Sequence, residues 1–359
     1  MDEGKGRFRD SLVRRALELL SLPEQDECFH TLAVKRALKW PNLTTQWLKR
    51  FGIPVGQDKM FEKVILGTNS EEQKQKKINH DGEVNKASYM PQNPYIIATQ
   101  TSYGELLVFD YKKQPSEPDP NGKCSQELTL RGHKEEGYGL SWSPILNGKR
   151  LSASEDDIIC LWDINFRLKG GVIYATNASR EHRTIVNDVA WHPSAENIFG
   201  SVGDDRKLML WDTRSNNASN IVHAHASDVH CLGFNPHHKF IVATGSLDES
   251  IALWDIRNFK YKLYSLEAHK DAIFQLQWSS HNENILASSG EDRRLYVFDV
   301  SKLVLERCAE SSESVSPDVL FEICKHAGEI SEFSWNPNEP FVLCSVTDDG
   351  IVHIWQIDN

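Results

Sequence analysis

The sequence predicts an all-β protein, a closed ring of four-stranded blades preceded by an amphipathic α-helix. Three observations carry this. An apolar run closing in an aromatic residue and aspartate recurs at Phe109-Asp110, Trp162-Asp163, Trp211-Asp212, Trp254-Asp255 and Phe298-Asp299, with Trp355-Gln356 as a worn last copy. The steps between the aromatic positions are 53, 49, 43, 44 and 57 residues. They lie near the ~40–45-residue period of WD40 propeller blades, with two copies carrying extra loop. The third observation is that each copy holds the parts of a blade.

Those parts come in a fixed order. His133, His182, His225, His269 and His326 each precede a strand-like stretch ending in Trp or Phe, such as Gly139-Leu140-Ser141-Trp142, Asp188-Val189-Ala190-Trp191 and Glu332-Phe333-Ser334-Trp335. A turn such as Ser143-Pro144 or Asn336-Pro337 follows, then a run like Ile241-Val242-Ala243-Thr244-Gly245-Ser246, an acidic tight turn and the aromatic-Asp strand. Four strands are counted per copy. The recurring His, Ser and Asp suit a hydrogen-bond chain that pins each turn to its own Trp, for example through His133, Ser154, Asp156 and Trp162. The histidines thereby acquire structural duties, and no phosphate-binding Gly loop, metal-ligand spacing or nucleophile-base pair stands beside them. A binding protein is expected, with no catalytic residue, no metal and no cofactor.

Ahead of the ring, Phe8, Leu12, Val13, Ala16, Leu17, Leu19 and Leu20 recur at three- and four-residue spacing, the mark of one helix face, and Pro23 ends the pattern. The expected organisation is a helix and linker over residues 1–25 and a propeller over 26–359. The run Leu43-Thr44-Thr45-Gln46-Trp47-Leu48 reads as a strand that supplies the outer edge of the last blade and closes the ring. Between Lys63-Val64-Ile65-Leu66 and Ile78-Asn79-His80 lies only the polar run of residues 67–77, too short for the rest of a blade. Seven blades are therefore expected, the first incomplete.

Composition narrows the setting. The chain has 359 residues, 40% of them apolar, enough for one large core. Seven scattered cysteines, at Cys28, Cys124, Cys160, Cys231, Cys308, Cys324 and Cys344, form no CxxC pair and read as small hydrophobes of a reducing compartment. No apolar leader opens the sequence and no uninterrupted run approaches ~20 residues, so a nuclear or cytoplasmic protein without a membrane span is expected. The net charge of −11 repels nucleic-acid phosphates and attracts basic proteins.

Certain longer runs carry a resemblance. Ala37-Leu38-Lys39-Trp40-Pro41, Tyr89-Met90-Pro91-Gln92-Asn93-Pro94, Gly137-Tyr138-Gly139-Leu140-Ser141-Trp142, Asp212-Thr213-Arg214-Ser215-Asn216-Asn217 and Ser334-Trp335-Asn336-Pro337-Asn338-Glu339-Pro340 resemble the retinoblastoma-binding, histone-binding WD40 proteins, the family of the small subunit of chromatin assembly factor. The match runs in order from about residue 28 to the end. It implies a non-enzymatic nuclear scaffold shared by histone chaperone, histone acetyltransferase, deacetylase-remodelling and Polycomb complexes.

The resemblance also implies two sites. One is an acidic, aromatic-edged channel on the top face for the histone H3 tail or a basic cofactor peptide, formed by Glu83, Asn85, Glu136, Tyr138, Asn187, Asp228, His230, Phe274 and Asp348. Carboxylates around an opening accept paired hydrogen bonds from an inserted Arg, and Tyr138 and Phe274 stack on it. The other is a side groove between the N-terminal helix and an inserted acidic loop, where Phe29, Leu32, Glu313, Asp318, Leu320 and Phe321 would hold the first helix of histone H4. The chain departs from the family at Asn187 and Ala272, where carboxylates are expected, and at Glu329, where a basic residue is expected. An alternative role comes from Trp211-Asp212-Thr213-Arg214 and Trp254-Asp255-Ile256-Arg257, which fit the Trp-Asp-x-Arg pattern of substrate receptors in cullin-type ubiquitin ligases.

Overall fold

The structure is a computed structural model that describes residues 31–37, 45–47, 64–66, 78–165, 171–301, 318–324 and 326–357. Every regular element of any length among them is a strand. In chain order these are β1 (Thr31–Ala37), β2 (Thr45–Trp47) and β3 (Val64–Leu66), followed by six blades. The first blade is β4 (Val84–Met90), β5 (Asn93–Thr101), β6 (Leu106–Asp110) and β7 (Leu128–Arg131). The second is β8 (Leu140–Trp142), β9 (Lys149–Ala153), β10 (Ile159–Asp163) and, after the short β11 (Val172–Tyr174), β12 (Asn177–Ser179). The third is β13 (Val186–Trp191), β14 (Ile198–Gly203), β15 (Lys207–Asp212) and β16 (Ala218–His223). The fourth is β17 (Val229–Phe234), β18 (Ile241–Ser246), β19 (Ser250–Asp255) and β20 (Tyr264–Glu267). The fifth is β21 (Ile273–Trp278), β22 (Ile285–Gly290), β23 (Leu295–Asp299) and β24 (Asp318–Ile323). The sixth is β25 (Ile330–Trp335), β26 (Val342–Thr347) and β27 (Ile351–Ile357), completed by β1.

Burial follows position in the blade. The two middle strands are covered on both faces by neighbouring blades, so β19 is buried at all six residues and β18 at five of six. Such strands must read as continuous apolar runs. The outer strand β16 has no buried residue, which is why its sequence, Ala-Ser-Asn-Ile-Val-His, shows no closing motif. Between blades lie clusters such as Ala98, Leu130, Trp142 and Trp162, or Val202, Leu232, Val242 and Trp254.

Histidine fastens each turn to its blade. His133 Nε2 bonds Ser152 Oγ at 2.6 Å, Trp162 Nε1 donates to the same oxygen at 2.8 Å, and His133 Nδ1 meets Asp156 at 3.1 Å. The arrangement repeats with His182, Ser201, Asp205 and Trp211, and with His225, Thr244, Asp248 and Trp254. The shared hydroxyl is Ser152, which corrects the expectation of Ser154. Side chains alternate along a strand, so Ser154 lies two residues further toward the turn and instead donates to the carbonyls of Glu135 and Glu136. His80, which the sequence pattern did not place among the blade histidines, takes the equivalent position in the first blade, bonding Thr99 Oγ1 at 2.7 Å and the Gly82 carbonyl at 3.0 Å. Burial raises the carboxyls of Asp156, Asp205, Asp248 and Asp292, yet side-chain hydrogen bonds, from the blade His in three and from the Ser250 hydroxyl at Asp248, together with backbone N–H groups outweigh it and hold all four below the usual range.

The ring differs from expectation in three respects. Among the described residues six blades stand where seven were expected, and those of the shortened segment form the antiparallel ribbon β2–β3, beside β25 and β26 on one side and β4 on the other. Closure is performed by β1 rather than by residues 43–48. β27 is seven residues long and needs a partner of that length, which Thr31–Ala37 supplies from Thr31 opposite Ile357 to Ala37 opposite Ile351. The connection after β10 runs parallel to β7 as β11 before turning back as β12, stitching the first two blades together. The expected helix over residues 7–20 lies outside the described residues.

Candidate functional site: the acidic mouth of the ring

Register brings the loops that precede inner strands to the same end as the turns that leave second strands. Val84 sits opposite Thr101, Val186 opposite Gly203, Val229 opposite Ser246, Ile273 opposite Gly290 and Ile330 opposite Thr347. At that end each of these inner strands carries a β-bulge, at Asn85, Asn187, His230, Phe274 and Ser331. A bulge inserts one residue and re-aims its side chain. Tyr138, between Gly137 and Gly139, holds the matching place in the second blade and is 48% exposed.

Around these lie Glu83, Glu136 and Asp228 from the loops and Asp348 from the last blade's turn, all accessible. Asn85 Nδ2 donates to Glu136 Oε2 at 2.9 Å, and the Tyr138 hydroxyl stands at the edge of bonding range, 3.5 Å, from the same oxygen. Burial, then the charges of Glu136, Glu155 and Glu83, push the Tyr138 phenol up. His230 and Phe274 stack with ring centres 5.6 Å apart and planes at 8°. Burial lowers the His230 imidazole against the pull of Asp204 and Asp228.

Glu155 and Asp204 were missed from sequence. They hold in the second and third blades the turn position that Asp348 holds in the last, so applying that offset to every blade finds them. Asn187 Nδ2 donates to Asp204 Oδ1 at 2.8 Å, which makes Asn187 a holder of a carboxylate. Glu155 is raised by burial and then by Glu136, Glu135 and Asp204, a sign of carboxylates crowded together. Carboxylates ring the mouth: Glu83, Glu136, Glu155, Asp204 and Asp228 lie on the first to fourth blades, and Glu291, Glu329 and Asp348 hold the corresponding places on the fifth and sixth. Leu247, the buried Ala272 and Phe274 make an apolar break in that ring.

One residue deeper, the side chains tie blades together. Asp188 accepts from Leu232 N–H at 3.1 Å, and Gln275 bonds both backbone groups of Phe333 at 2.6 and 3.0 Å. Lys86 pairs with Glu332, joining the first blade to the sixth beside the ribbon. Burial pushes the Asp188 carboxyl up to about 6 in spite of nearby Lys86. Its folded pKa exceeds the unfolded value, so its contribution to stability is full below about pH 4 and is lost as pH rises through 6. Between pH 7.5 and pH 5 the protein should gain about 1.4 kcal/mol that an Asp188→Asn variant does not. Urea midpoints of both proteins at the two pH values measure this, and parallel pH dependence would refute it.

The remaining expected sites fall elsewhere. Phe29 and Glu313 lie outside the described residues. Leu32 is in β1 opposite Gln356. Residues 318–321 are the start of β24, which corrects their reading as an inserted loop; the segment pairs with β23, leaving Leu320 38% exposed while Phe321 packs beside Trp335 and Trp355. In the two Trp-Asp-x-Arg motifs the guanidinium folds back on its own aspartate, Arg214 on Asp212 at 2.6 Å and Arg257 on Asp255 at 2.7 Å, while Trp211 and Trp254 are core residues.

Comparison with known proteins agrees with the blade geometry. Residues 176–212, 217–255, 260–299 and 318–356 match the WD40 family, "WD domain, G-beta repeat". The chain folds as a WD40 β-propeller. Each match begins at or just before the outer strand of one blade and ends with the third strand of the next, so each matched WD40 repeat locks two blades together. A chain in the solved structure "Crystal Structure of Mitotic Checkpoint Complex" is similar over 83% of this protein and 79% of its own length, at 18% identity and a TM-score of 0.63, a likeness of fold.

Proposed function

We propose that this WD40 propeller is a nuclear, non-enzymatic scaffold that binds histones for chromatin assembly, modification and remodelling complexes, with its acidic mouth taking the histone H3 tail or a similar basic peptide. The observation that carries this is the ring of carboxylates at the mouth, with the His230–Phe274 stack and Tyr138 set among them. An extended basic peptide suits such a ring, since guanidinium groups bond carboxylates in pairs and stack on aromatic faces. The resemblance in sequence points the same way. A second partner of this reading is a basic amphipathic helix such as the first helix of histone H4, with the exposed Val319 and Leu320 as its apolar contact.

A titration with histone H3 tail peptide tests the proposal. Glu136→Gln keeps the bond to Asn85 and removes the charge, and affinity is expected to fall by about 1.5–3 kcal/mol, roughly ten- to a hundredfold. Binding should also weaken with salt. Unchanged affinity in Glu136→Gln with a folded protein would move the peptide away from the mouth.

A further inference from the structure

Arg150 stands where every other blade is apolar. It is the second residue of β9, directly opposite Trp142 on one side and Trp162 on the other. The residue that faces the closing aromatic in the same register is Ile97, Phe199, Val242, Leu286 or Leu343 in the remaining blades. Arg150 is 0% exposed, its guanidinium lies 4.7 Å from the Trp142 ring centre, and Nε, Nη1 and Nη2 all lack a hydrogen-bond partner. A guanidinium keeps its proton inside proteins, and the face of one indole replaces little of the solvation it has lost.

Other unsatisfied atoms gather around the same blade. Ser88 Oγ and Gln92 Oε1 are buried without partners on the segment of the first blade that holds Trp142 Nε1 through Ser88 O and the Ser143 carbonyl through Gln92 Nε2. On the opposite side Trp191 Nε1 is buried without an acceptor, whereas the equivalent Trp278 and Trp335 donate to backbone carbonyls of the preceding blade. Buried polar groups in folded proteins are nearly always satisfied, so this concentration of unpaired groups, all able to donate except the Gln92 Oε1 acceptor, marks a place for a ligand.

We propose that Arg150 anchors an anion site within the second blade, taking a small oxyanion of the phosphate class. The planar fork of its guanidinium matches two oxygens of such an anion, and the Ser88 hydroxyl is a further donor beside Trp142. Arg150 is one residue in from the turn closed by Ser143 N–H and the Lys149 carbonyl. The site lies at the end of the ring opposite the acidic mouth and is independent of the peptide proposal.

Thermal unfolding in sodium phosphate against sodium chloride at matched ionic strength tests this, with inorganic phosphate as the probe. At a concentration roughly a hundred times its dissociation constant, phosphate should raise the wild-type midpoint by about 3 °C over chloride. Arg150→Leu, which installs the residue other blades tolerate, should melt higher than wild type in chloride and show no phosphate increment; Arg150→Lys should retain a smaller one. Equal increments in wild type and Arg150→Leu, or none in wild type, would overturn the site.

Discussion

Trp254→Ala should cost about 3–5 kcal/mol, the range for truncating a large buried aromatic. That is a large share of the about 5–15 kcal/mol that holds a typical domain folded. Trp254 is 2% exposed, packs among Val202, Leu208, Val229 and Leu232, and donates at 3.1 Å to Thr244, whose hydroxyl also bonds His225. Alanine leaves a cavity between two blades and releases the histidine that holds the turn at Asp248. Trp254→Phe separates the two effects. The fifth blade already uses Phe298 at this place, so the ring volume is kept and only the donor is lost, at about 1 kcal/mol. Urea unfolding followed by circular dichroism measures both, and an alanine variant within 1 kcal/mol of wild type would sink this account. Pairing Trp254→Phe with His225→Ala should give non-additive losses, because both act on one hydroxyl.

Acid acts on the same chain with a definite sign. Asp248 is held below its unfolded pKa, so the stability it contributes is present above about pH 4 and is lost as pH falls through the folded value. Burial lowers His225, and protonating it below about pH 6.5 favours the unfolded chain. Asp188 opposes both between pH 7.5 and 5, which places the acid loss of the turn carboxylates at lower pH than the gain from Asp188.

What the sequence revealed depended on how local the determinant was. The Trp-Asp closures, the blade histidines and the turn acids are set by bonds within one blade, between residues 19 to 23 apart such as His182, Ser201 and Asp205, and these were legible. The hydroxyl was misplaced by two residues in the second blade because Ser152 and Ser154 point to the same side of the strand, and only the register against β10 distinguishes them. The mouth was legible in its bulge and loop residues and missed at Glu155 and Asp204; these meet Glu136 and Asn187 within their own blades, 19 and 17 residues away, but carry no closing motif and show only when the turn position of Asp348 is carried to the other blades. Lys86, Asp188 and Glu332 were invisible for a stronger reason: they are 102 and 144 residues apart along the chain and become neighbours only when the ring closes. Arg150 sat in plain view as a charge in an apolar frame, but its lack of a partner is a property of packing alone.

Ring closure has the largest effect to test. β1 pairs with β27 along seven consecutive positions, and no other described strand covers that edge. Deleting residues 31–37 exposes the backbone groups of Ile351–Ile357, an apolar edge that is a template for pairing with another molecule. At about 0.5–1.5 kcal/mol for each net hydrogen bond, seven paired positions and their packing amount to more than 5 kcal/mol, as much as a whole domain of ordinary stability. The variant should run as aggregates in size-exclusion chromatography, and amides of β26 and β27 should lose their protection against hydrogen exchange. A synthetic peptide covering residues 28–40, added in trans, should return the protein to a monomer by strand addition. A deletion variant that stays monomeric with an unchanged melting temperature would show that the sixth blade holds its edge without β1.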